Sequence, residues 1–460
     1  MAPVGPDPDE SEGSSLPLAR GGGRGRAVGF CARAGFLGVG MGDGATGWAA
    51  RVVAVGIASA VLVVGQAGGQ LPLGGPNLVN SATPAGDQQG PSVGMADDGR
   101  LRVFWSEATT LDVLQRAYAA NGSPFNASAP NQVEAAEFDA AASVNGSGDW
   151  IVSWSSNQVQ DGGLDLFARR SSNNGTTLPS EFQATVAAAV DIDRAARLSR
   201  ADDDSYVAVW VDDLAPGDLQ FRKFAADGAP VTGDLSAGEA TDPDLDEFDV
   251  ASAPDGSFLI AWQGDATPNE QVFARCFDDS GDPLGPQFIV PAELASRNLL
   301  PRVAVDALGF YVVAWIEGGT TDIEWRRFAP DCEPVGGDRL AVAGGSEGNQ
   351  NFELDMARDG AMVLAWNSEE LDPDQGISVL ELTKSGKVVG AEFLAHEAAA
   401  GRQILPDAAI GDLLFAVVWE DQEDSPSILD DILLRRFVRR VVFTDDFESA
   451  DDAYWSSSTP

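Results

Sequence analysis

A short apolar run ending in tryptophan recurs seven times along the chain. The runs are LRVFW to Trp105, WIVSW to Trp154, YVAVW to Trp210, FLIAW to Trp262, YVVAW to Trp315, MVLAW to Trp366 and FAVVW to Trp419. The intervals between these tryptophans are 49, 56, 52, 53, 51 and 53 residues. Such a period is the signature of a repeat architecture. The runs are apolar at nearly every position instead of alternating, so each strand is covered on both faces.

Each repeat has three further parts. A strand precedes the run, as in PSVGM at 91 and PRVAV at 301, and joins it through Asp98-Gly99, Asp255-Gly256 or Asp359-Gly360. These pairs are hairpin signals. After the tryptophan a polar loop leads to a third strand, such as DLQFRKF at 218, DIEWRRF at 322 or DILLRRF at 431. A tight turn at Asp227-Gly228 or Ser280-Gly281 then introduces a fourth, such as APVTGDLSA from 229 or DPLGPQFIV from 282. Four antiparallel strands per unit and seven units predict an all-β fold, a seven-bladed β-propeller of four-stranded blades. The tryptophans are expected to pack between blades, each with an indole N–H in need of a partner.

The seventh repeat lacks a fourth strand after Phe437. The segment LPLGGPNLV at 71–79 resembles DPLGPQFIV at 282–290 and is expected to supply it, closing the ring from the N-terminal side. RRVVF at 439–443 is the competing closing strand, and it fits the repeat spacing less well. Closure removes exposed sheet edges.

Ahead of the repeats, residues 52–64 read VVAVGIASAVLVV. This run is shorter than the roughly 20 residues that span a bilayer. It follows Arg51 and precedes small residues at Gly65 and Ala67, the order of a secretory signal peptide with cleavage after Ala67. Translation from Met41 would give that signal an ordinary length. The expected organisation is residues 1–67 as N-terminal extension and signal peptide, 68–437 as propeller, and 438–460 as an acidic tail. A secreted or cell-surface location follows, with no membrane span after cleavage.

The unit DGxFVVAW…DIxxRRFxxxGxPxGxxFxV resembles a tryptophan-containing repeat of about fifty residues found in large secreted and surface proteins of bacteria. The likeness covers about residues 70–437. It implies a propeller and carries no shared activity. The C-terminal FTDDFESADDAYWSSSTP resembles a tail at the ends of exported bacterial proteins.

Charge narrows the partners. There are 29 Lys and Arg against 71 Asp and Glu, a formal net charge of −42. The first 67 residues hold five of each sign, so the net charge lies on the repeats. Such a field repels nucleic acid and favours solubility, cations or basic ligands. A monomer is expected. The cysteines are Cys31, Cys276 and Cys332. The last two sit in adjacent repeats, either bridged or as separate thiols.

The third strands carry Arg116, Arg169, Arg222, Arg275, Arg326 and Arg435 at one repeat position, with Leu380 in the sixth repeat. Asp112, Asp165, Asp218, Asp322 and Asp431 recur four residues upstream, on the same strand face. Residues that follow the repeat symmetry are read as structural, making hydrogen bonds and ion pairs between blades, with arginine stacked on tryptophan as a further contact.

The loops after the tryptophans are acidic, as at Glu317, Glu369 and Glu420-Asp421, and share one rim with Asp242, Asp244 and Asp246. Converging carboxylates suit Ca²⁺. The triad lacks the glycine and closing glutamate of a calcium loop, so calcium is at most an optional cofactor and no other is implied. His396 is the single histidine, and HEAAA at 396–400 is not a zinc motif. No phosphate-binding glycine loop follows a strand. The leading expectation is a secreted, non-catalytic binding propeller taking a polysaccharide, protein or cation at its acidic loop rim. The alternatives are a carbohydrate-active hydrolase or lyase using paired carboxylates, and a structural surface module. A carboxylate pair deep in the axial funnel, breaking the repeat symmetry, would favour the enzyme.

Overall fold

The computed structural model describes residues 71–440 except 82–85, 131–136, 159–162, 172–179, 186–192, 213–217, 239–246, 267–268, 295, 345–349, 370, 373–374, 398–400 and 423–429. The described residues form seven antiparallel sheets, six of them built from one repeat each in the order first, second, third, fourth strand. Blade 1 runs Gln88–Met95, Leu101–Glu107, Asp112–Tyr118, Pro124–Ser128. The inner strands of blades 2 to 7 are Glu137–Val144, Asp193–Arg200, Phe248–Ser252, Asn298–Val305, Gln350–Met356 and Arg402–Ile410.

The N-terminal segment completes blade 7. Leu71–Pro72 and Asn77–Leu78 both pair with Asp431–Val438, with Leu71 opposite Val438 and Leu78 opposite Leu433. Val79 is fully buried there, in a cluster holding Trp105 of blade 1 and Val418 of blade 7. Of the competing segment at 439–443, Arg439 and Arg440 lie in no strand and the rest lies outside the described residues, as do the signal segment and the tail beyond Arg440.

The seven run-ending tryptophans are buried, and the clusters around them cross blade boundaries. One joins Val312 and Ala314 of blade 5 to Phe352, Leu354 and Trp366 of blade 6. The expectation of a partner for every indole N–H is met at Trp105, which donates to Gln88 Oε1 at 2.5 Å. The indole N–H groups of Trp154, Trp366 and Trp419 have none among the described residues, so packing alone holds those rings. Cys276 in blade 4 is bonded to Cys332 in blade 5, with Cα atoms 6.5 Å apart.

A bulge interrupts six of the inner strands, directly opposite the tryptophan. In blade 1 Gln89 pairs with Ser106 and Ser92 with Phe104, so Gly90 and Pro91 together face Trp105. The same skip occurs between Leu299 and Arg302 and between Ile404 and Asp407. It places Gly90, Leu300, Asn351 and Leu405 at φ of 57°, 55°, 41° and 47°. Left-handed backbone is costly for leucine. Pro91, Pro301 and Pro406 follow three of these residues, and proline, with no N–H to donate, is tolerated in a sheet at such bulges. Bulges re-aim the side chain that follows them.

Candidate functional site

The inner strands surround an axial cavity of about 1070 Å³. One position per blade, just beyond the bulge where there is one, stands opposite the residue that precedes the tryptophan. These are Ser92, Ala141, Arg197, Asp249, Arg302, Glu353 and Asp407, facing Phe104, Ser153, Val209, Ala261, Ala314, Ala365 and Val418. All seven line the cavity. The ring therefore reads small, small, positive, negative, positive, negative, negative, and it breaks the repeat symmetry that the core obeys.

The aspartates clip neighbouring blades together. Asp249 Oδ2 accepts the N–H of Val303 at 2.7 Å. Asp407 Oδ2 accepts that of Val93 at 2.7 Å, across the seam between the last and first blades. Two residues deeper, Asp355 Oδ2 accepts the N–H of Ile410 at 2.8 Å, and the Ser199 hydroxyl accepts that of Ser252 at 2.7 Å. Each bond satisfies an edge donor of an inner strand that has no further strand beside it. Arg302 lies between Glu353, at 2.8 Å, and Glu247, at 3.9 Å.

Burial pushes these carboxyls up. Asp249 titrates at about 6, with Arg302 and Arg197 opposing the rise. Asp355 is pushed to about 7 by burial against the pull of its backbone donors, and Asp407 to about 8 by burial and the nearby Glu353. The unfolded chain ionises these groups near pH 4. Between pH ~4 and ~8 the folded state therefore binds more protons, and stability falls as pH rises. The melting temperature is expected to decline from about pH 5 to about pH 8 in a buffer series, and a flat or rising profile would show the clips to be ordinary ionised carboxylates.

An ion pair spans the channel at the end formed by the turns between first and second strands. Arg358 of blade 6 donates from Nη1 to Asp202 Oδ1 of blade 3 at 2.9 Å and from Nη2 to Oδ2 at 2.8 Å. These blades are not neighbours, so the pair crosses the channel. Asp97 and Asp412, from blades 1 and 7, strengthen the charge on Arg358 further. The cavity is lined from this end to the opposite rim, where the bulges lie.

The repeated arginines serve the outer part of the blades. Arg116, Arg169, Arg222, Arg326 and Arg435 donate to the carbonyls of Val79, Pro130, Ala184, Val290 and Ala395, each at the end of the preceding blade. Arg275 donates to Gly285 O at 3.1 Å. The guanidinium groups of Arg116, Arg222, Arg275, Arg326 and Arg435 lie over Tyr118, Phe224, Phe277, Phe328 and Phe437, the aromatic two residues on. The period of two puts those rings on the same strand face, which is why they, and not the blade tryptophans, are the stacking partners. Asp165, Asp322 and Asp431 tie their strand to the outermost one, accepting from Gln183 Nε2, Gly344 N and Asn80 Nδ2. Leu380 is buried in the core of blades 5 and 6.

The acidic rim is less available than its composition suggests. Glu107 accepts the N–H groups of Thr109 and Thr110, and Glu317 those of Gly319 and Thr320, each closing its own turn. Glu420 accepts from Gln422 Nε2 at 2.8 Å, and burial raises its pKa to about 7. Asp242, Asp244 and Asp246 lie outside the described residues. Among the described residues no group of three or more His, Cys, Asp or Glu is arranged to hold a metal ion. His396 accepts the N–H of Ile377 at Nε2 and lies 2.9 Å from Glu397 O at Nδ1, so backbone groups occupy both nitrogens. No proton-transfer role remains for it.

No family model matches the chain, and no curated protein matches it. Several solved structures do. A protein of unknown function from Dyadobacter fermentans is 10% identical, covering 79% of this chain and 98% of that one, with a TM-score of 0.47. An ulvan lyase of polysaccharide lyase family PL25 is 11% identical over 80% and 94%, with a TM-score of 0.48. A Hadza microbial sialidase is 12% identical over 73% of each chain, with a TM-score of 0.43. At these identities the likeness carries nothing about activity, and the reading of function rests on the pocket.

Proposed function

We propose that this chain is an extracellular binding propeller that takes a saccharide into its axial pocket without transforming it. The observation that carries the reading is the asymmetric polar ring in a pocket of about 1070 Å³. A volume of that order suits a small ligand or one end of a larger one. Carboxylates and strand-edge backbone groups are hydrogen-bond acceptors matched to hydroxyl donors. The Cys276–Cys332 bond and the strong acidity support an oxidising, extracellular setting.

Catalysis is disfavoured by how the carboxylates are engaged. A general acid or base must reach the reacting atom with a free position. The ring does set carboxylates deep in the funnel and out of repeat symmetry, but both oxygens of Asp355 and of Asp407 accept backbone N–H groups and Glu353 is paired with Arg302, so of these four only Asp249 keeps an unbonded oxygen, where a hydrolase needs two carboxyls. The test is to incubate the full chain with a panel of bacterial and algal oligosaccharides, measuring retention and released reducing ends in the same samples. Retention of at least one saccharide without new ends is expected. New reducing ends or unsaturated products would make the protein an enzyme.

A further inference from the structure

We propose that the saccharide is an acidic one, a sugar carboxylate held by Arg197. The proposal rests on the saccharide-binding reading and narrows it. The two arginines of the ring differ in one respect. Arg302 is neutralised in place by Glu353 at 2.8 Å, with Glu247 at 3.9 Å beyond. Arg197 lines the same cavity, and its guanidinium makes no hydrogen bond or ion pair among the described residues. It acts at longer range on Asp249, whose charge it favours.

An unoccupied guanidinium is a fork of five donors that matches a planar carboxylate in two parallel bonds. It is conspicuous in a chain of net charge −42, where carboxylates outnumber cations more than twofold and could have evolved to fill it. Asp249 engages one oxygen with Val303 N–H, and its other oxygen has no hydrogen bond among the described residues. That oxygen is an acceptor one blade on from the fork, suited to a hydroxyl of the same ligand. On the other side of Arg197 the ring carries Ala141 and Ser92, small residues that leave room for a pyranose ring. The Arg358–Asp202 pair spans the far end of the channel and narrows it there.

The proposal is tested by calorimetric titration of the full chain with D-glucuronate, its methyl ester and acetate. The ester keeps every hydroxyl and loses the charge. The ester is expected to bind about 10- to 100-fold more weakly than the acid, and acetate more weakly still. Arg197→Met lowers the affinity for glucuronate to that for the ester and leaves the ester unchanged. Arg197→Lys, which keeps the charge without the fork, falls between. Because Arg197 makes no hydrogen bond or ion pair among the described residues, the Arg197→Met variant is expected to melt with the parent at about pH 5, where Asp249 is protonated in both, and this serves as the folding control. Equal binding of acid and ester overturns the proposal, as does an unaffected Arg197→Met variant. Acetate binding as tightly as glucuronate would reduce the site to one for any small anion. If a neutral saccharide binds irrespective of Arg197, the saccharide reading stands and the carboxylate falls. If no saccharide of either kind binds, both fall.

Discussion

A chain lacking residues 71–80 will melt roughly 5–10 °C below the intact protein, and its transition will depend on protein concentration. The deletion removes the two short strands that complete blade 7. It takes away the backbone bonds from Leu73 N to Arg436 O and from Val79 N to Ile432 O, both 2.8 Å. It empties the buried site of Val79 between blades 1 and 7. It also strips the carbonyls that receive Arg116, at Val79, and Arg435, at Gly74. Loss of one buried valine and several hydrogen bonds costs about 5 kcal/mol. The newly bared Asp431–Val438 edge then invites pairing with other molecules. Differential scanning calorimetry at two concentrations checks both effects, and a peptide of residues 71–80 added in trans should restore part of the loss. An unchanged melt would mean that blade 7 holds without its N-terminal strand.

The second large effect is expected at Arg302. Replacing it with methionine leaves Glu353, Glu247 and Asp249 facing one another without their common cation. Removing one partner of a buried pair typically costs ~3–5 kcal/mol. Glu353 and Glu247 keep side-chain exposures of 25% and 34%, so solvent screening brings the figure to about 2–4 kcal/mol. The loss has a pH signature. Arg302 opposes the rise of the Asp249 pKa, so without it that carboxyl binds its proton still more tightly in the folded state. The penalty is therefore larger at pH ~7.5 than at pH ~5. Adding Glu353→Gln to Arg302→Met should recover about half of it, since neutralising Glu353 relieves most of the repulsion. Urea denaturation of the four proteins of this cycle at both pH values gives the numbers. A pH-independent penalty would show that Arg302 acts by packing against Phe352 and not by its charge.

The scaffold was legible because it repeats. Seven tryptophan runs fixed the blade count, and the likeness of 71–79 to 282–290 located the closing strand that pairs with Asp431–Val438. Arg116 and its counterparts stood out by the same recurrence. The pocket ring did not, because its residues are the ones that refuse to recur. Arg197, Asp249, Arg302, Glu353 and Asp407 look like scattered charges until the strands are aligned on the tryptophans. The bulge opposite six of the tryptophans hides the alignment, since two residues there face one. Aligning the first strands column by column and asking where the chemistry changes from blade to blade would have exposed the ring. The acidic rim drew attention through composition instead, and several of its carboxylates close their own turns.

The central claim is that the axial pocket is the binding site, and Ser92 offers the most direct test. Ser92→Trp fills the pocket from one of its two small positions and removes no charged group. The full chain and this variant would be titrated side by side with the saccharide that the panel retains best. The account predicts one site per chain in the parent and no measurable heat in a variant that melts normally. Equal binding by both proteins would place the ligand elsewhere and contradict it.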